Sequence, residues 1–163
     1  MAKIYISIGS NIEKEINIIK GLDALYHEFG ELSLSPLFES ESIGFAGPVF
    51  FNMVVGAYTE LPLESLAKTL RQIEYDHGRD FNAVKNSPRT LDLDLLLYDD
   101  VITDTPVQIP RDEITKNAFV LWPLAELIPD AVHPQLSNSY SHLWQVFDKT
   151  TQQLRKVPLN WQA

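Results

Sequence analysis

Between Pro88 and Tyr98 the chain reads Pro-Arg-Thr-Leu-Asp-Leu-Asp-Leu-Leu-Leu-Tyr. Leucine alternates with aspartate, the two-residue period of a strand whose neighbouring side chains point to opposite faces. Leu91, Leu93 and Leu95 therefore belong to a core, while Asp92 and Asp94 share the other face, about 7 Å apart. Aspartate is depleted from strands because it competes for backbone hydrogen bonds and is costly to strip of water. A half-exposed sheet can simply turn two such carboxylates to solvent, and for an arbitrary Asp-x-Asp that is the commoner arrangement. Here Lys85 and Arg89 precede the strand, and Pro88 fixes the backbone before it. Oxygen ligands for a hard cation thus stand beside donors for phosphate, and the stretch reads as a magnesium–nucleotide site.

The rest of the chain alternates strand and helix signals. Ile4, Ile6 and Ile8 against Lys3, Tyr5 and Ser7 predict a first strand. Ser10 or Asn11 is the expected cap of a helix whose stripe is Ile12, Ile16, Ile19, Leu22, Leu25 or Tyr26, and Phe29, stopped by Gly30. A second strand begins near Leu32 and Leu34, with Pro36 marking a bend or an edge. After a loop over 39–48, Phe50 to Tyr58 predicts a third strand, in which Asn52 is a lone carboxamide among apolar residues. It is either a satisfied polar group near a strand end or a reader of a flat heterocycle's amide edge.

Leu63, Leu66, Leu70 and Ile73 predict a second helix closing at Gly78, with Arg71 and Glu74 as a surface ion pair. Residues 79–87 lack periodicity and read as a lid feeding the aspartate strand. Short pairing segments at Val101–Ile102 and Val107–Ile109 follow, then helices over Ala118–Leu127 and Ser139–Lys149, and an edge strand within Gln153–Pro158. This order predicts an α+β chain, a ferredoxin-like βαββαβ sandwich with C-terminal helical and short-strand additions. The helices would lie on one face, with Asn52 and the aspartates facing a loop-covered groove on the other.

At 163 residues the chain is expected to form one domain spanning 1–163. It has no cysteine, which excludes disulfides, thiolate nucleophiles and zinc–sulfur clusters. With neither a signal-like leader nor an apolar run near the ~20 residues of a membrane span, the expected location is cytoplasmic. A net charge of −9 and a pI near 4.8 argue against nucleic acid as a partner. Yet seven of the 13 lysines and arginines fall between Lys68 and Lys116, around the aspartate pair. That distribution suits a small polyanion carried with its metal. The expected partners are small molecules, without nucleic acid or membrane, on a monomeric chain.

With these residues placed, the chain resembles the 6-hydroxymethyl-7,8-dihydropterin pyrophosphokinases of folate biosynthesis, from Ile8-Gly9-Ser10-Asn11 to about Pro134. The most specific piece is Pro88-Arg89-Thr90-Leu91-Asp92-Leu93-Asp94-Leu95-Leu96. Phe51-Asn52, Ile73-Glu74 with Gly78-Arg79, and Phe119-Val120-Leu121-Trp122-Pro123-Leu124 follow the family's order and spacing. The resemblance implies a ferredoxin-like fold and transfer of pyrophosphate from ATP to the pterin hydroxymethyl group, with AMP released. It implies that Asp92 and Asp94 hold two magnesium ions, and that Asn52, Phe119, Ser40 and Ile43 hold the pterin. Glu74, Arg79, Lys85 and Arg89 would surround the ATP, with Arg89 also acting in catalysis. No serine–histidine pair is evident, so catalysis would rest on positioning and electrostatics.

The chain also departs from the family pattern. Ser87 stands where the family has glycine before Pro-Arg, and Asn86 stands where an aromatic is usual. Glu41-Ser42 replaces a Pro-Pro pair, Arg111 replaces a histidine, and Asn117 replaces an arginine. Arg111 and Arg71 would replace the lost positive charge, with Arg111 joining the ATP set. The alternative is a divergent paralogue that binds a nucleotide or pterin with weak or altered transfer. A non-enzymatic ferredoxin-like module is the third reading.

Overall fold

The computed structural model describes residues 1–40, 49–78 and 90–163. The alternating isoleucines at the N-terminus form β1 (Ala2–Ser10), the strand on which the sheet is assembled. It pairs antiparallel on one side with β4 (Phe50–Thr59) and on the other with β5 (Asp92–Tyr98). Ile6 stands opposite Val55 and Leu95, and Ile8 opposite Met53 and Leu93. The sheet continues through β3 (Leu37–Ser40) to β6 (Leu154–Val157), giving the order β5-β1-β4-β3-β6. The two-residue β2 (Ser33–Leu34) also pairs with β4, and every pairing is antiparallel. Pro36 separates β2 from β3, and the tail contributes the expected edge strand.

One face of the sheet packs against α1 (Lys14–Phe29) and α2 (Leu63–Asp76). Ile4, Ile6 and Ile8 meet Leu22, Leu25, Leu66 and Leu70 there in a buried apolar core. The other face carries a second core of Val54, Leu96, Leu97, Leu121, Leu124 and Tyr140. It is closed by α3 (Ala118–Leu127) and the short α4 (Tyr140–Val146). Helices on one face only, the expectation from the sequence, is therefore wrong. The C-terminal additions cover the second face with helix rather than with loops alone. A register shift between Tyr5 and Ile6 leaves Leu96 without a β1 partner, so Leu96 and Leu97 both enter the second core. Leu95-Leu96-Leu97, where strict alternation would place a polar residue, is its trace in the sequence.

Two helix expectations need correction. Neither Ser10 nor Asn11 caps α1; Glu13 takes that position at φ 42°, while the Ser10 hydroxyl donates to the Ile12 carbonyl at 3.1 Å. The buried stripe of α1 is Ile18, Leu22 and Leu25, while Ile12 and Ile16 are exposed. The helix expected over Ser139–Lys149 stops at Val146: Ser139 caps its start, and the Lys149 ammonium donates to the Trp144 carbonyl at 2.6 Å. Gly30 does end α1, at φ 80°, donating to the Tyr26 carbonyl. Among the described residues, no helix is long and apolar enough to cross a membrane.

Candidate active site

The antiparallel register gathers the polar residues of three strands. Gly9 of β1 lies between Asp92 of β5 and Asn52 of β4, and Ser7 lies opposite Asp94. Residues directly opposite one another share a face, so Asp92, Asp94, Ser7 and Asn52 project from the same side of the sheet. It is the side of Val54 and the second core, where Phe119 in the first turn of α3 packs half-buried.

Asn52 is 4% exposed, and its Nδ2 donates to the Ser40 hydroxyl at 3.0 Å. Its other edge meets β1. A Cβ placed on Gly9 would lie 2.9 Å from Asn52 Oδ1, closer than ordinary contact. Gly9 therefore makes the space that the carboxamide fills. The carboxamide is thus anchored through Nδ2 and packed beside Gly9, and a buried amide fixed in orientation can read the complementary edge of a flat ring.

Glu74 is buried at the end of α2, where Oε2 accepts the Leu93 N–H at 2.9 Å. The carboxylate ties α2 to β5 between Asp92 and Asp94, and its burial differs from the surface setting that helical spacing suggested. Arg111 approaches from the far side of the sequence. Its N–H donates to the Leu96 carbonyl at 3.0 Å, laying the segment after Pro110 along β5. Its Nη2 is 3.5 Å from Asp94 Oδ1 and 2.8 Å from Glu113 Oε1. Burial works against the Arg111 charge, but Asp94 and Glu113 outweigh it and hold the guanidinium above its usual pKa.

The carboxylates suit a hard cation. Asp92 and Asp94 are part-buried on a paired strand, and neither lies in the apolar cores. Among the described residues, no group of three or more histidine, cysteine or acidic side chains is arranged to hold a metal. Magnesium is commonly held by one or two carboxylates together with water and substrate phosphates, so a pair on one strand is a sufficient donor set. Ile43, Arg79, Lys85 and Arg89 lie outside the described residues, as does the lid expected over 79–87. A groove of about 750 Å³ lies on the opposite side of the sheet, lined mainly by apolar residues such as Ile16, Ile19, Phe51 and Leu159. It contains none of the polar residues just described.

Fold and site together define an α+β protein that sets a carboxylate pair beside a buried, oriented amide on one covered sheet face. Residues 5–129 match the family described as 7,8-dihydro-6-hydroxymethylpterin-pyrophosphokinase (HPPK), and the chain belongs to that family. It is 35% identical over 138 residues to the 2-amino-4-hydroxy-6-hydroxymethyldihydropteridine pyrophosphokinase of Aquifex aeolicus, covering 82% of this chain and 85% of that one. The protein of the same name from Pseudomonas aeruginosa is 38% identical over 133 residues, covering 78% of this chain and 82% of the relative. Among solved structures, the Plasmodium falciparum HPPK-DHPS wild type superposes with a TM-score of 0.68 at 13% identity. That match covers 88% of this chain and 44% of the longer Plasmodium chain, and it supports the fold alone.

Proposed function

We propose that this chain transfers pyrophosphate from ATP to the hydroxymethyl group of 6-hydroxymethyl-7,8-dihydropterin, releasing AMP, as a step of folate biosynthesis. The observation that carries the reading is the meeting of Asp92, Asp94 and Asn52 on one sheet face within the stretch matched to the family. The sheet order β5-β1-β4-β3, with α1 and α2 packed on one side, supports the finer description of a ferredoxin-like βαββαβ sandwich. We read the chain as one pyrophosphokinase-like domain, monomeric and cytoplasmic. The binding-only alternative draws no support from relatives that carry the enzyme's name.

In this reading Asn52 hydrogen-bonds the amide edge of the pterin, Ser40 keeps the carboxamide turned, and Phe119 offers its ring face. Ile43 completes the pterin set. Glu74, Arg79, Lys85, Arg89 and Arg111 surround ATP, the arginines spreading positive charge over phosphate oxygens. Two magnesium ions held by Asp92 and Asp94 would neutralise phosphate charge and favour loss of the alcohol proton. The protein's own part is to align the hydroxymethyl oxygen with the β-phosphorus and the departing AMP, so that an otherwise encounter-limited reaction proceeds from a held pair. An AMP assay tests this: protein, ATP, magnesium and the reduced pterin alcohol should yield AMP and the pterin pyrophosphate. ADP as the product, or no turnover at all, would overturn it.

A further inference from the structure

Strand β1 runs between the two halves of the site, with Asn52 on the β4 side and the aspartates on the β5 side. At that level β1 presents Gly9 and Ser7 to the shared face. Gly9 has no side chain, and the place a Cβ would take there is crowded by Asn52 Oδ1. The next position on the same face is Ser7, opposite Val54 on one side and Asp94 on the other. Ser7 is 5% exposed, and no described residue hydrogen-bonds its hydroxyl. The exposure that remains includes that hydroxyl, because among the described residues only Tyr140 has a partnerless side-chain oxygen or nitrogen sealed from solvent.

Packing alone does not ask for serine here. Val54 beside it is fully buried in the second core, and alanine would fill the place without a polar group to satisfy. A hydroxyl kept in so enclosed a setting without a protein partner is matched to something that enters the site. Diagonal neighbours on adjacent antiparallel strands lie about 7–8 Å apart, which sets the distance from Asn52 to Ser7. A fused two-ring heterocycle spans about that distance from its amide edge to a substituent at the far end. A pterin with its amide edge on Asn52, and its hydroxymethyl group directed at phosphates beside β5, therefore crosses β1 over Ser7. We propose that Ser7 is a further substrate-binding residue, whose Oγ accepts a hydrogen bond from the hydroxymethyl O–H and turns a lone pair of that oxygen toward the β-phosphorus. Ser7 takes no proton; it fixes the place and rotation of the alcohol before transfer. The inference rests on the reading of Asn52 as the pterin's amide partner.

The test is titration of the full chain with two ligands that differ by one oxygen, 6-hydroxymethyl-7,8-dihydropterin and 6-methyl-7,8-dihydropterin. Magnesium and α,β-methylene-ATP are present throughout, an analogue whose bridging carbon prevents pyrophosphate transfer. Ser7→Ala should weaken the hydroxymethyl ligand about five- to tenfold, and the methyl ligand by less than about twofold. Urea unfolding of the variant should match the parent, since the hydroxyl has no bond to a described residue to lose. A variant that loses stability, or that weakens both ligands equally, would assign Ser7 to packing and overturn the proposal. Undiminished binding of the alcohol would overturn it as well. Asn52→Ala is the separate check: pterin affinity indifferent to that change would bring down the amide reading, and the Ser7 contact with it.

Discussion

Gly9→Ala tests the pterin assignment without touching a group assigned to the ligand. The new Cβ would stand 2.9 Å from Asn52 Oδ1, and ordinary contact begins at 3.4 Å, so the carboxamide must retreat by about half an ångström. Retreat is blocked, because β4 lies between β1 and β3 and the Asn52 amide already donates to Ser40 on β3 at 3.0 Å. Moving half an ångström that way would compress the bond below the usual 2.7–3.2 Å range. The carboxamide must therefore turn, or the strands must part. Overpacking of this kind typically costs about 1–3 kcal/mol. If Asn52 reads the pterin ring, a turned amide loses much of that recognition, and at 1.4 kcal/mol per decade pterin affinity should fall roughly ten- to a hundredfold. ATP affinity should stay within about twofold. Isothermal titration with each substrate, beside urea unfolding, measures all three quantities. A protein destabilised as expected but with parental pterin affinity would refute Asn52 as the reader.

Asp92→Ala and Asp94→Ala should each lower AMP formation by on the order of a thousandfold or more, while thermal unfolding stays near the parent, since neither side chain lies in a core. Parental turnover in either variant at saturating magnesium would dismiss the metal assignment. Glu74→Ala strands the Leu93 N–H in a buried setting, so urea unfolding should show a loss of about 1–3 kcal/mol; a loss below 0.5 kcal/mol on the same scale would show that water replaces the bond. His133 is buried, which lowers its pKa, and its Nδ1 accepts the N–H groups of Gln135 and Leu136 at 3.1 and 3.2 Å. The unfolded chain binds that proton more readily, so this contribution to stability is full above about pH 6.5 and is lost as pH falls below it. His133→Asn keeps an acceptor near Nδ1 and should flatten the fall in unfolding temperature between pH 7.5 and 5.5. An unchanged slope would remove His133 as its source.

The strands were legible because a period of two leaves little freedom once one face is apolar. Leu93 and Leu95 on one side, and Asp92 and Asp94 on the other, follow from that period alone, and Ala118–Leu127 emerged with its bounds intact. Helix α1 was misjudged because it carries two apolar stripes. Leu22 and Leu25 were placed correctly, but Ile16 and Ile19 lead into them by helical spacing as readily as Ile18 does, and only the sheet beneath chooses between the two. Ile16 and Ile19 instead line the groove beside the tail. The C-terminal helices could be found in the sequence but not placed, since nothing local says which face of a sheet a later helix covers. Glu113 stayed hidden for a related reason. Its neighbour Arg111 is two residues away, but the Asp94 carboxylate that shares the guanidinium is on β5, brought near where the Leu96 carbonyl takes the Arg111 N–H.

Among the described strands β5 ends the sheet, and an apolar terminal strand is an invitation to a second molecule, because its outward N–H and C=O groups can template another chain. Here the Leu93 N–H is taken by Glu74, and the Leu96 carbonyl by the Arg111 backbone. A side chain from α2 and a loop from beyond Pro110 thus occupy the rungs on which an intruding strand would have to grip. The same two contacts that hold the aspartates' strand in place also discourage these molecules from zipping together edge to edge when crowded.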